Sequence, residues 1–352
     1  MKDYFIKKIK IEGPISISTY MAENNLAPNK GYYNSDNIIG KKGDFITSPE
    51  VSQMFGELLG LLITNYWHLS NKPKKPILVD LGGGNGTMMK DCLRAINNID
   101  KNFKDNVTPI FIETSNKFIS KQKKAMPNSL NFKELNEIPN KFMGLIANEF
   151  FDSLPIKQFI RINKYWHERL IDLNPNNENQ LIFTYDRKPT KYLELISDFS
   201  SKHKIIEICP SALSIIKEIS NKIKIYGGIA IIIDYALEKN DYYGSLQAVK
   251  KHTHVSPLSN PGLIDLSARV NFNMIIETAE ELGLNVYGPS KQNEFLEKLG
   301  IGLRCQQLIK FNPSKKQQIK KAYNKLMSEK EMGSLFKVIA ITKKLSPKPA
   351  GF

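Results

Sequence analysis

From residue 77 onward the chain alternates short apolar runs with segments of helical spacing. The runs cover 77–81, 109–112, 144–147, 228–233 and 335–341, and the spacing between them predicts helices near 86–97, 116–125, 210–223 and 272–283. Buried strands alternating with helices predict an α/β, Rossmann-like fold built on a mostly parallel sheet. Between the third and fourth runs, QFIRI, KYWHERLID and QLIFTYD alternate apolar and polar positions and predict antiparallel strands. These form an inserted β-rich segment at about 157–205. Residues 314–329 predict a lysine-rich amphipathic helix with Ile319, Tyr323, Leu326 and Met327 on its inner face.

Residues 1–75 lack this rhythm and are expected to form an N-terminal helical region, leaving 76–352 as the main domain. Ser16 is placed to cap a short helix carrying Ile17, Tyr20 and Met21. Ser48 reads as the cap of a longer helix, with Pro49 at its first position and Glu50 facing the positive end of the dipole. Val51, Phe55, Leu58, Leu59 and Leu62 form the packed face of that helix. Gln53 and Glu57 share another face, and the stretch from Ser48 to Glu57 is placed to cover a ligand at the strand ends. Residues 237–265 read as a long loop over those ends, a lid or substrate rim.

The first strand runs into DLGGGNGT, residues 80–87, with a helix following at once. Gly82, Gly84 and Gly86 allow a tight turn and close approach of a ligand at the carboxyl end of a strand. A dinucleotide fingerprint fails because Thr87 stands where its last glycine is needed, and a phosphate loop fails for want of Gly-Lys-Ser/Thr. The remaining pattern, acid-x-G-x-G-x-G from Asp80, is the arrangement associated with S-adenosylmethionine (SAM). Glu113 ends the second strand, where a carboxylate accepts both ribose hydroxyls of a nucleoside. The third strand exits into Asn148, Glu149 and Asp152, candidate catalytic groups able to orient a cationic nucleophile such as a guanidinium.

Composition narrows the partners. Net charge is +15, but only six of the 50 basic residues are Arg, leaving 44 Lys in a chain also rich in Ile and Asn. Lysine lacks the planar fork suited to phosphate, so nucleic acid is permitted rather than indicated. The proposed crevice, with Asp80, Glu113, Glu149 and Asp152, is acidic and better suited to a cation. Cys92, Cys209 and Cys305 show no ligand or disulfide spacing, and His252 and His254 have no acidic or thiol companion nearby, so no metal is expected. The opening residues lack the apolar run of a signal peptide or the arginines of a transit peptide, and no stretch is long enough to span a membrane. A cytoplasmic location is expected.

Taken together, several blocks in order resemble the MidA-type family of SAM-dependent methyltransferases, which includes a mitochondrial complex I assembly factor that methylates protein arginine. They are GPISISTYM, GYY, GDFITSPEVSQMFGELLG, DLGGGNGT, IANEFFDSLP, IIIDYA, GSLQAVKKHTHVSPLSNPG with DLSARVNF, and MGSLFKVIAIT. The likeness covers about residues 13–343. It implies a seven-stranded methyltransferase fold, SAM as methyl donor, and symmetric dimethylation of arginine on a respiratory complex I core subunit. Family cofactor positions carry to Gly82, Gly84, Gly86 and Glu113, and substrate-facing positions to Asn148, Glu149 and Asp152. The chain departs from the family at Gly83, where a proline is expected, and at Arg269 and Asn271, where His and Asp are usual. An RNA methyltransferase and a noncatalytic assembly chaperone on the same fold are the alternatives.

Overall fold

A computed structural model describes residues 1–28, 30–34, 46–190, 202–238, 241–250 and 253–352. The chain forms two compact units that interleave along the sequence, rather than following a boundary near residue 75. One gathers residues 39–151, 213–236 and 272–352; the other gathers 1–38, 152–212 and 237–271.

The first unit holds a seven-stranded sheet: β1 (Ile77–Leu81), β2 (Thr108–Ile112), β3 (Leu130–Phe132), β4 (Met143–Asn148), β5 (Gly228–Tyr235), β6 (Leu284–Lys291) and β7 (Phe336–Lys343). Their spatial order is 3-2-1-4-5-7-6. Strands β3, β2, β1, β4 and β5 run parallel, while β7 is antiparallel to both its neighbours, β5 and β6. This is the expected α/β sheet. Every residue of β1 and β4 is buried, as a sheet covered on both faces requires. The chain order reverses beside β1, and a doubly wound sheet opens its ligand crevice at that point. Strands β3 and β6 escape the apolar-run pattern. β3 is three residues long, and β6 is an edge strand carrying Gly288 and Pro289, residues that a sheet interior excludes.

Against this sheet packs the helix Gln53–Leu69, which buries Met54, Phe55, Leu58, Leu59, Leu62 and Ile63. It crosses the helix Thr87–Ile99 closely through Gly56 and Gly60. A Cβ at Gly60 would meet the Cys92 carbonyl oxygen at 2.6 Å, and one at Gly56 would meet Asp91 Cβ at 2.8 Å. The single helix expected from Ser48 is two pieces. Ser48–Val51 forms one turn with Thr47 as its cap, and Ser52 turns the chain before capping the long helix through the N–H of Met54. Glu57 also departs from expectation. It accepts from Gln53, Arg94 and Arg304, so it is the buried centre of a half-exposed ion cluster between helices and not a ligand cover. The lysine-rich helix spans Lys316–Met327 and buries Leu326 on its expected face.

In the second unit, strands Tyr165–Asn174, Lys157–Ile162, Asn177–Tyr185 and Ile205–Ile208 form the expected antiparallel insertion, joined at one edge by Ile15–Ser16. Ser16 caps the helix Ile17–Leu26 by accepting the N–H of Thr19 at 3.0 Å. Residues 237–265 are not simply a loop. Gln247–Lys250 pairs antiparallel with Thr253–Val255 on one side and Asp265–Ser267 on the other as a small sheet, and Glu207 anchors its start by accepting the N–H groups of Ser245 and Leu246. Arg269 forms an ion pair with Asp241 at 2.9 Å, a structural occupation for that departure from the family pattern. His254 lies on the strand Thr253–Val255, and His252 lies outside the described residues.

Candidate active site

Strand β1 delivers Asp80 to the sheet's carboxyl edge, and the glycine loop turns immediately after it. Gly82, Gly84 and Gly86 have φ of 72°, 49° and 78°, a region that costs a residue with a Cβ but not glycine. Space reinforces the backbone requirement at Gly82, where a Cβ would meet Phe150 Cδ2 at 2.6 Å. Gly83, the departure from the family pattern, is also enforced by its neighbours: a Cβ there would meet Phe111 Cδ1 at 2.6 Å and Asp80 Oδ2 at 2.8 Å. The loop's far side is held by Gln122, fully buried, which donates to the Gly84 carbonyl at 3.0 Å and accepts from Asn131.

A crevice opens between this loop and the end of β4. Asp80, Gly82, Gly84, Asn148 and Glu149 line it, so five of the eight sequence-derived site residues meet there. Gly86 starts the helix that follows the loop, and Glu113 stands just beyond the end of β2, accepting the N–H of Ser115 at 2.9 Å. Asp152 belongs to the other unit, on the short turn Phe151–Ser153, where its carbonyl accepts the N–H of Ala268.

The crevice is rich in acceptors. Among the described residues, neither carboxylate oxygen of Asp80 has a hydrogen-bond partner, although the residue is 1% exposed. Asn148 Oδ1 is likewise buried and unpartnered, while its Nδ2 donates to Glu149 Oε1 at 3.0 Å. Buried acceptors left without donors are costly, so this arrangement fits a ligand that brings donors and positive charge. Burial, aided by the charge of Glu113, pushes Asp80 up to about 8. Burial raises Glu149 to about 7 against the lowering effect of the Ser48 N–H and the Asn148 amide, and Glu113 to about 7 against its backbone donors.

Glu149 sits at φ 51°, unusual for a residue with a side chain. Its turn is fixed from β5, where the fully buried Asp234 accepts the N–H groups of Phe150 and Phe151. On its outer side, Glu149 Oε1 accepts the Ser48 N–H at 2.9 Å. Thr47, Pro49 and Glu50 complete the lining together with Asn85, Thr87 and Met88. The sequence reading missed the roles of Asp234 and Gln122; of the stretch 48–57 that it placed over the ligand, Pro49 and Glu50 line the crevice. Gln122 left one signal, since it shares a helix face with Phe118 four residues earlier and is the polar member of a buried pair. Among the described residues, no group of three or more His, Cys, Asp or Glu could hold a metal ion, and no helix is long and apolar enough to cross a membrane.

The model of the S-adenosyl-L-methionine-dependent methyltransferase family matches residues 58–290. The chain belongs to this family. The methyltransferase is 34% identical over 384 residues to the mitochondrial protein arginine methyltransferase NDUFAF7 of Xenopus tropicalis, covering 99% of this chain and 88% of the relative. It is 33% identical to the human protein of the same name, covering 97% of this chain and 83% of that one. A Burkholderia thailandensis protein crystallised with S-adenosyl-homocysteine shares the methyltransferase's fold, with a TM-score of 0.84 at 22% identity over 99% of this chain and 93% of that chain. The acceptor-lined crevice fits SAM, which carries an ammonium and a sulfonium. The expected cytoplasmic location is overturned by the relatives, which are named as mitochondrial proteins.

Proposed function

We propose that the methyltransferase transfers methyl groups to arginine in a protein substrate. The glycine loop and Glu113 hold the SAM nucleoside and amino-acid portions, and Asp80 provides the buried counter-charge. When bound, SAM supplies an activated methyl group on a sulfonium sulfur. Asn148 and Glu149 accept hydrogen bonds from the arginine guanidinium and hold one nitrogen toward the crevice. Positioning carries most of the rate, because little bond chemistry is asked of the protein itself. The proton lost from the newly methylated nitrogen passes to Glu149, whose affinity near 7 suits a group that must bind and release it at neutral pH.

The observation that carries this reading is the set of buried acceptors, Asp80 and Asn148, that have no donor among the described residues, in the crevice bounded by Glu149. The names of the relatives, protein arginine methyltransferases, support arginine as the acceptor. Asp152, which the family pattern pairs with Glu149, is proposed as a further substrate-facing carboxylate. The proposed target is a core subunit of respiratory complex I, with symmetric dimethylation as the product. Calorimetric titration with SAM, followed by mass spectrometry of the candidate subunit with and without this protein, tests it. SAM binding and an arginine dimethylated only when the protein is present are expected. An arginine unmodified in both samples would sink the target, and no SAM binding would sink the enzyme reading.

A further inference from the structure

The glycine loop is gripped by a turn that precedes the family-model match and lies within the block GDFITSPEVSQMFGELLG. That match begins at residue 58, yet the crevice is lined by Thr47, Pro49 and Glu50. The short turn Ser48–Val51 is pinned at two points. Its Ser48 N–H donates to Glu149 Oε1, and Glu50 Oε1 accepts from Asn85 Nδ2 at 3.1 Å and from Thr87 Oγ1 at 2.7 Å. Asn85 is the side chain at the tip of the glycine loop, and Thr87 begins the helix that follows it. The other end of the Asn85 amide is also held, because Lys121 Nζ donates to its Oδ1 at 3.1 Å.

Asn85 therefore has its donor end tied to an anion and its acceptor end tied to a cation. Hydrogen bonds to charged groups are the stronger kind, and two of them fix both the position and the flip of one amide. Gly82, Gly84 and Gly86 give the loop freedom to reach its conformation, and the same freedom has to be removed before a ligand can bind without an entropic cost. Gln122 removes it from beneath. Glu50 removes it at the tip.

We infer that Glu50 is a positioning residue for SAM binding, buckling residues 47–51 to the glycine loop and making this N-terminal turn an essential wall of the cofactor site. The inference rests on the SAM assignment of the preceding section. It differs from the reading of Glu50 as a helix-dipole partner, because that turn is a single short one and its carboxylate is spent on Asn85 and Thr87.

The test is calorimetric titration of SAM into the full-length protein and its variants, with melting temperature recorded for each. Glu50→Ala should weaken SAM binding by about tenfold or more, the scale of losing two charge-assisted bonds. Glu50→Gln, which retains an acceptor, should fall between the two. In a double-mutant cycle, Asn85→Ala should cost much less in the Glu50→Ala background than alone, because both remove the same tie. A general weakening of the fold would instead lower both backgrounds equally. If Glu50→Ala does not fold, Thr87→Val and Glu50→Gln read the same contact. Unchanged affinity in a folded Glu50 variant, or additive losses, would overturn the inference while leaving the SAM site standing. Failure of the unmutated protein to bind SAM would overturn both.

Discussion

Asp234 Oδ2 accepts the N–H of Phe151 at 2.9 Å, and the same oxygen accepts that of Phe150 at 3.1 Å. Its other oxygen takes the N–H of Tyr235 at 2.8 Å. One buried carboxylate on β5 thus fixes the turn that holds Glu149 in its left-handed conformation. Replacing it with asparagine presents an NH₂ group to N–H donors. Asp234→Asn is expected to cost about 1–3 kcal/mol of stability and to lower kcat more than it weakens SAM binding. Chemical denaturation and steady-state kinetics check the two effects, and a variant with unaltered stability would contradict the staple.

Glu57 ties three elements together through Arg94 and Arg304, at 2.9 Å and 2.8 Å. Burial alone would raise its affinity for a proton, but the hydrogen bonds from Arg304 and Arg94 outweigh it and the net shift is downward. A carboxylate with a lowered folded value adds stability above its unfolded value, lost as acidification passes through the folded one. Glu57→Gln should cost about 1–3 kcal/mol at neutral pH, discounted from the fully buried case because both arginines keep solvent contact. The deficit should shrink below about pH 4. Thermal melts of both proteins across pH measure it.

Asp80, Glu113 and Glu149 have the opposite sign. Their folded values lie near 8, 7 and 7, so between about pH 4 and those values the folded state holds protons that the unfolded chain has released. The ligand-free protein should therefore lose stability as pH rises from about 4 to about 8. Asp80→Asn should flatten that slope and gain about 1–3 kcal/mol at pH 8. A bound cation favours ionised Asp80, so SAM affinity should increase toward pH 8 with release of protons. Calorimetry in two buffers of different ionisation enthalpy counts them, and a pH-independent affinity would refute the role of Asp80.

Gly82→Ala places a methyl group against Phe150 at a positive φ. The loop has to shift or the Phe150 ring has to leave its place beside the Glu149 turn. A loss of stability of about 1–3 kcal/mol and of measurable SAM binding is expected. Differential scanning fluorimetry with and without SAM gives both readouts.

The parts of the site visible in the sequence are those that local rules create. Gly82, Gly84 and Gly86 follow a buried strand, Glu113 ends the next one, and Asn148 and Glu149 end the one after, so strand periodicity and turn chemistry place them. What escaped depends on distant partners. Ser48 looks like a helix cap by residue type, but its N–H answers to Glu149, 101 residues away. Glu57 looks like a free helical acid until Arg304 reaches it from 247 residues further along. The pairing of Ile15–Ser16 with Tyr165–Asn174 has no local signature either, because two residues cannot carry a strand pattern. Asp234 was legible as a strand end, while its work on the neighbouring turn depends on β4 and β5 lying side by side.

The last strand made is a middle strand of the sheet. β7 stands between β5 and β6, and each of these neighbours is synthesised before it. During translation β6 must wait without its hydrogen-bonding neighbour, and β5 exposes an edge, until residues 336–343 leave the ribosome. Premature termination before Phe336 would strand both edges at once. Its product should be captured by chaperones or aggregate, even though every residue lining the crevice had already been made.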